Sequence, residues 1–306
     1  MERDYQGIIE AFLISYTKND VDKLYELLSE DVTIDYSNLG RVQGIDNVIK
    51  KLSWEENFDI TRVTITNELF YNDNSKITFG LIAHHLVAYE KNNELFPLVF
   101  GGKYVIEIDD NKIRKVSFLL EYQNGNTIYV KGKWKLAQNH KDYSIVNEFN
   151  LEKVYQKSIS EKNYIDLVKL FFWCLDTKNL SFAKQMITTD FSIKRPFTVG
   201  KGMISGTYDT LEKYVDEDDA YYDLNQYSLK FNNIDEKDTI VQISAQHLTP
   251  HRTGTKKLNS LTKYSSFFDE DVSIELIKSE EKILIHKINI IKGSDVANIF
   301  NEIVRY

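Results

Sequence analysis

Apolar residues recur at helical spacing from Tyr5 to Tyr16, with Ile8, Ile9, Phe12 and Leu13 on the same face. Lys18-Asn19-Asp20 breaks the pattern. Asp20 is placed to cap a second helix carrying Leu24, Leu27 and Leu28. Val32 to Tyr36 then alternates as a short strand, Gly40 and Gly44 bracket a turn, and Ile45, Val48, Ile49 and Leu52 give a third helix. From there the period changes to two. Strands are predicted at about 61–71, 76–90, 95–108 and 112–122, separated by Asn72-Asp73-Asn74, Lys91-Asn92-Asn93 and Asp109-Asp110-Asn111. Asn124-Gly125-Asn126 signals a further hairpin leading into 127–134.

This order occurs twice. FLISYTKNDVDKLYELLSEDVTI, from Phe12, aligns without a gap on FFWCLDTKNLSFAKQMITTDFSI, from Phe171. Identities are few, but the polarity pattern is shared: Phe12 falls on Phe171, Leu27 and Leu28 on Met186 and Ile187, and Val32 on Phe191. The second copy continues with glycines at 200, 202 and 206 and a helix carrying Leu211, Tyr214 and Val215. Strands follow at about 225–231, 239–248 and 258–268, then at 272–279 or 283–291. Further matches align Ala83-His84-His85-Leu86 with Ala245-Gln246-His247-Leu248, Lys103-Tyr104 with Lys263-Tyr264, and Ile113 to Val116 with Ile285 to Ile288. The polar stretch 138–160 is weakly patterned. The expected division is a first domain at 1–140, a linker at 141–160 and a second domain at 161–306.

Composition narrows the partners. The 306 residues are 42% hydrophobic, enough for two cores, and the formal charge of −8 argues against nucleic acid and anionic membrane. No apolar run is long enough for a membrane-spanning helix. The start, MERDYQ, lacks a signal-peptide pattern, and the single cysteine, Cys174, excludes an internal disulfide. A cytoplasmic location is the expectation. No dinucleotide fingerprint, P-loop, HExxH or CxxC is present, so neither a cofactor nor a metal is expected. His247 and His251 are poorly placed as a metal pair because Pro250 lies between them near a strand end.

YTKNDVDKLYELLSEDVTIDYS, with Gly40 and Gly44 behind it, and CLDTKNLSFAKQMITTDFSI resemble the SnoaL-like branch of the NTF2-like superfamily. That branch includes polyketide cyclases, scytalone dehydratase, bile-acid dehydratase and ketosteroid isomerase relatives. The resemblance covers nearly the whole chain as a tandem pair. It implies an α+β fold of two cone domains, each with three N-terminal helices packed on a curved antiparallel sheet around a pocket. The fold hosts enzymes, binders and transport factors alike.

Asp176, in CLDTKN, matches the acidic residue that SnoaL-like dehydratases carry where the first helix meets the pocket. Its alternative is a helix-end or N-cap aspartate. The first copy has Thr17 there. His85 and His247 end apolar rows on matching strands, with Leu81, Ala83 and Val87 beside the one and Val241, Ile243 and Ala245 beside the other. Either is a candidate acid/base or a satisfied core histidine. The second histidine usual in the family's dehydratases falls near Val63 or Thr64 and near Tyr222 or Asp223, and is missing from both copies. Tyr16, Asp35, Tyr36 and Phe172 are candidate pocket-lining residues, although packing is the simpler account of the tyrosines and of the Phe171-Phe172-Trp173 run. Asp216-Glu217-Asp218-Asp219 reads as a solvated loop. The row Ile82, His84, Leu86 and Ala88 is too apolar for an exposed face. It is expected to be covered by the second domain or by another copy in a homodimer.

Three functions follow. One is a cofactor-free dehydratase, isomerase or cyclase using Asp176 and His247 on a small apolar cyclic or carbonyl compound. Another is a non-catalytic ligand-binding module. The third is an interaction scaffold.

Overall fold

A computed structural model of the chain describes residues 5–54, 58–91, 94–125, 142–196, 202–222, 227–252, 265–279, 282–291 and 295–296. The chain divides into two compact units: unit 1 at Met1–Asn150, and unit 2 at Leu151–Lys256 with Tyr264–Tyr306.

Unit 1 runs α1 (Tyr5–Lys18), α2 (Val21–Leu27), β1 (Leu28–Tyr36), β2 (Gly40–Gln43), α3 (Ile45–Leu52), β3 (Ile60–Asp73), β4 (Lys76–Lys91), β5 (Glu94–Asp109) and β6 (Lys112–Gly125). The apolar stripe of α1 is fully buried at Ile9, Phe12, Leu13 and Tyr16. Each such side chain contributes about 1.5–3 kcal/mol by leaving water. The helix ends at Asn19, whose φ of 61° lies in the left-handed region. The Asp20 N–H then donates to the Ser15 carbonyl at 2.8 Å, and the Asp20 carboxylate caps α2 by accepting from the Lys23 N–H at 3.1 Å. The stretch between Gly40 and Gly44 is not a simple turn. It is a short strand folded back on β1, with positive φ at both glycines.

Unit 2 runs α4 (Leu151–Ser160), α5 (Tyr164–Asp176), α6 (Leu180–Ala183), a 3₁₀ turn (Lys184–Met186), β7 (Ile187–Pro196), β8 (Met203–Thr207), α7 (Leu211–Tyr222), β9 (Ser228–Glu236), β10 (Ile240–Arg252), β11 (Ser265–Lys278), β12 (Ile283–Ile291) and β13 (Asp295–Val296). The stretch read as a linker thus holds a 3₁₀ turn at Tyr143–Val146, followed by α4, which packs on α5. The end of α5 repeats the end of α1. Lys178 has φ 60°, and the Asn179 N–H donates to the Cys174 carbonyl at 2.8 Å, the residues that the ungapped alignment places on Asn19, Asp20 and Ser15.

The strand orders match: β2-β1-β6-β5-β4-β3 in unit 1 and β8-β7-β12-β11-β10-β9 in unit 2, with β13 beside β11. Both sheets are mixed, whereas a wholly antiparallel sheet was expected, because the first strand of each unit runs parallel to the last strand of its meander. That contact fixes the repeat: Leu28 sits opposite Ile113 as Ile187 sits opposite Ile285, and Ile34 opposite Val116 as Ile193 opposite Ile288. The match of Lys103-Tyr104 with Lys263-Tyr264 is corrected by register. Leu81 and Ile82 face Tyr104 and Lys103, while Ile243 and Ser244 face Ile274 and Ser273.

The β5–β6 turn holds Asp110 and Asn111 at φ 48° and 63°, the two-residue geometry that suits a twisted hairpin. β11 is continuous where two strands were predicted, and the expected hairpin strand at 127–134 lies outside the described residues. The row Ile82, His84, Leu86 and Ala88 is buried. The matching face of β10 exposes Gln242 and Ser244.

Candidate functional site

In unit 1 strand alternation carries His85 inward beside Leu81, Ala83 and Val87. The imidazole is fully buried and both nitrogens are engaged. Thr17 Oγ1 lies 2.8 Å from Nδ1, and the Tyr104 hydroxyl 3.0 Å from Nε2. The Thr17 hydroxyl also donates to the Leu13 carbonyl at 2.6 Å. It therefore accepts from Nδ1–H, and the Tyr104 hydroxyl donates to Nε2. Phe100 stacks on the ring at 4.5 Å and 6°, and Tyr16 meets it edge-on at 5.8 Å. Burial, helped by the neighbouring His84, pushes the His85 pKa down to about 3. Burial likewise pushes the phenols of Tyr16, Tyr36 and Tyr104 up. This chamber is aromatic and uncharged.

Tyr16 packs on His85, and Tyr36 packs edge-on against Tyr16 and Tyr104 at 6.2 and 6.4 Å between ring centres. Asp35 does not share this cluster. Alternation along β1 turns Ile34 and Tyr36 inward and leaves Asp35 half-buried on the other side.

Unit 2 places its histidine at the same point in entirely different company. His247 Nδ1 lies 2.9 Å from Glu270 Oε2, directly across the β10–β11 ladder. Arg195 donates to both Glu270 oxygens, from Nη2 at 2.7 Å and from Nε at 3.4 Å, and from Nη1 to Asp218 Oδ1 at 2.9 Å. The Tyr227 hydroxyl donates to Asp218 Oδ2 at 2.7 Å and lies 2.9 Å from the Tyr214 hydroxyl. Tyr227 stacks on His247 at 4.7 Å and 23°, and the Arg195 guanidinium stands 5.5 Å from the same ring. Every one of these side chains is at most 2% exposed. Burial opposes the charged form of Glu270, but Arg195 and His247 outweigh it and hold the carboxyl at about 2. Glu270 is therefore a carboxylate at neutral pH, and the Nδ1–H of His247 donates to it.

Asp176 ends α5 fully buried, and the cap of α6 is Asn179 rather than Asp176. Its Oδ2 accepts the Tyr227 N–H at 3.2 Å. Asp176 and His247 thus meet on Tyr227, one at its backbone and the other on its ring. Phe172 packs on the Tyr227 ring at 4.6 Å. The expected approach of Asp176 to the imidazole is made through this tyrosine, while the carboxylate bonded to Nδ1 is Glu270.

Sequence reasoning missed Arg195, Glu270, Asp218 and Tyr227. Asp218 is not in a solvated loop. It lies on α7, where it extends the buried stripe of Leu211, Tyr214 and Val215. Arg195 shares the inward row of Phe191 and Ile193, and Glu270 that of Val272 and Ile274. The usable signal lies in the repeat. Extending the ungapped alignment puts Tyr36 on Arg195, and the ladder puts Phe100 at the place of Glu270, since each faces the histidine. The residues opposite the histidines on the preceding strands are Val63 and Leu229, so the position sought at Tyr222 or Asp223 lies further along the chain. Among the described residues no group of three or more His, Cys, Asp or Glu is placed to hold a metal ion.

No protein-family model and no curated protein matches the chain. Its element order and strand pairing are those of the NTF2-like fold in both units, which is the resemblance read from the sequence. Solved structures similar to it include the Kfla4162 protein of Kribbella flavida, at 16% identity over 40% of this chain and 93% of that one, with a TM-score of 0.33. A hexachlorocyclohexane dehydrochlorinase, LinA-type3 from Novosphingobium barchaimii, matches at 15% identity over 40% and 86%, with a TM-score of 0.33. An LEH-like epoxide hydrolase of M. tuberculosis matches at 16% over 42% and 86%, with a TM-score of 0.28. No helix among the described residues is long and apolar enough to cross a membrane.

Proposed function

We propose that the chain is a cofactor-independent acid–base enzyme whose chemistry resides in unit 2, acting on a small, largely apolar cyclic or carbonyl compound. The observation that carries this reading is the His247–Glu270 pair. Glu270 takes the Nδ1–H, and an imidazole protonated at Nδ1 accepts a proton from a substrate carbon at Nε2. The proton moves to Nε2, the electron pair forms a double bond, and a leaving group departs or a carbonyl oxygen takes the charge. That chemistry is a dehydration or an isomerisation. Asp176 acts through Tyr227, which it holds against the imidazole. Unit 1 keeps the fold and an uncharged aromatic chamber around His85, suited to packing or to a neutral ligand, its buried Lys103–Glu121 pair lying on the row of Ile82 and His84 instead.

The complete burial of His247 favours a second reading, in which the network only stabilises the core and unit 2 is a binding module. A base-labile probe separates the two. Ring opening of 5-nitrobenzisoxazole needs a single proton abstraction in an apolar site. The enzyme reading expects acceleration by the wild-type protein that Glu270→Gln removes. No acceleration, or acceleration unchanged in Glu270→Gln, would leave the binding module as the better account.

A further inference from the structure

We infer that Arg195 is a positioning residue for His247, acting through Glu270 to dictate which imidazole nitrogen carries the proton. The inference rests on the reading of His247 as the base.

The geometry gives Arg195 two grips on Glu270, at Oε2 and Oε1, and a third on Asp218, which in turn is held by the Tyr227 hydroxyl. The guanidinium is 1% exposed and sits between two carboxylates from different elements, α7 and β11. A buried carboxyl without a cation takes up a proton, because burial disfavours its charged form. Glu270 lies in such a place. Without Arg195 it would be protonated and would donate its O–H to His247 Nδ1, reversing the hydrogen bond. The imidazole proton would then lie on Nε2, and the nitrogen proposed to act on substrate would have no lone pair. Arg195 acts in this scheme through its two grips on Glu270. It sets the direction of one hydrogen bond.

The unit 1 copy shows what the fold needs without this device. Tyr36 stands at the place of Arg195 and Phe100 at that of Glu270, and the unit still packs His85 fully. The charged set is therefore an addition to the fold, not a requirement of it.

Two-bond ¹H–¹⁵N correlation of histidine-labelled full-length protein reads the tautomer directly. Wild type is expected to show His247 with Nδ1 protonated, and Asp218→Asn, which leaves both grips on Glu270, to show the same. Arg195→Gln is expected to move His247 largely to the Nε2–H form and to cut ring opening of the benzisoxazole at least tenfold. Should Arg195→Gln fail to fold, the double variant Arg195→Gln/Asp218→Asn, which carries one buried carboxylate fewer, takes its place with the same expectation. A wild-type spectrum showing Nε2–H, or a folded Arg195 variant with His247 still wholly in the Nδ1–H form, overturns the inference. An inactive wild type that shows the expected tautomer shift would instead remove the enzymatic reading and leave the role of Arg195 standing.

Discussion

His85 and His247 occupy one position in two copies of a fold, and their surroundings have diverged in charge while keeping shape. Around His85 stand Thr17, Tyr36, Phe100 and Tyr104; around His247 stand Asp176, Arg195, Glu270 and Tyr227. The helix end carries a carboxyl group in place of a hydroxyl, and the first strand and the ladder partner carry an ion pair in place of two neutral rings. The fold tolerates this because the charges arrived as a set. Glu270 and Asp218 share the guanidinium, and His247 and Tyr227 occupy their remaining lone pairs. An isolated charge at any of these places would be expelled or neutralised. The lesson is that a repeat keeps the position of its chemistry-bearing residue more faithfully than the chemistry itself.

The largest effect is expected from breaking the set. Arg195→Met leaves two buried carboxylates facing each other and should cost ~3–5 kcal/mol of stability. Tyr36→Phe, at the same place in unit 1, should cost well under half as much. Denaturant unfolding of both variants checks this, and equal losses would mean that the two interiors are not different in kind.

Acid should separate the units next. Burial and the adjacent Lys103 push the His84 pKa down to about 4, and His85 is down to about 3. Both histidines are neutral when folded and bind protons more readily when unfolded. Their contribution is full above the ordinary histidine value near 6.5 and is lost as pH falls through 4 towards 3. For His85 alone it is on the order of 5 kcal/mol. Glu270, lowered from 4.5 to about 2, keeps its contribution until pH falls below 4.5. On acidification, amide signals of unit 1 should therefore weaken first. The opposite order would contradict the assignment of the charged network to unit 2.

Smaller effects sharpen the comparison at the helix end. Thr17→Val removes the acceptor for the Nδ1–H of His85 and should cost ~1–3 kcal/mol by leaving that group unsatisfied. Asp176→Asn keeps an oxygen for the Tyr227 N–H and should cost less than about 1 kcal/mol. Thermal melts of the two variants rank them.

Much of this was legible from pattern alone. The ungapped match of helix, cap and first strand gave both units, and period-two alternation put both histidines on the inner row. The charged partners were hidden by local sequence. Asp269-Glu270-Asp271 looks like a turn between two strands, yet β11 runs straight through it because Glu270 faces Arg195 while Asp271 faces water. Asp218 sits in an acidic run that reads as solvated, and only its helical spacing from Tyr214 and Val215 marks it as inward. Each reading failed for one reason: polarity was taken as exposure, whereas these polar groups are buried against one another.

The central claim is that acid–base capacity belongs to the charged copy alone. The most direct test is the rate of 5-nitrobenzisoxazole ring opening with His247→Gln and His85→Gln measured side by side. The account predicts that His247→Gln falls to the uncatalysed rate and that His85→Gln, if folded, stays within about twofold of wild type after correction for the folded fraction. Equal rates in the two variants, or loss only in His85→Gln, would contradict it.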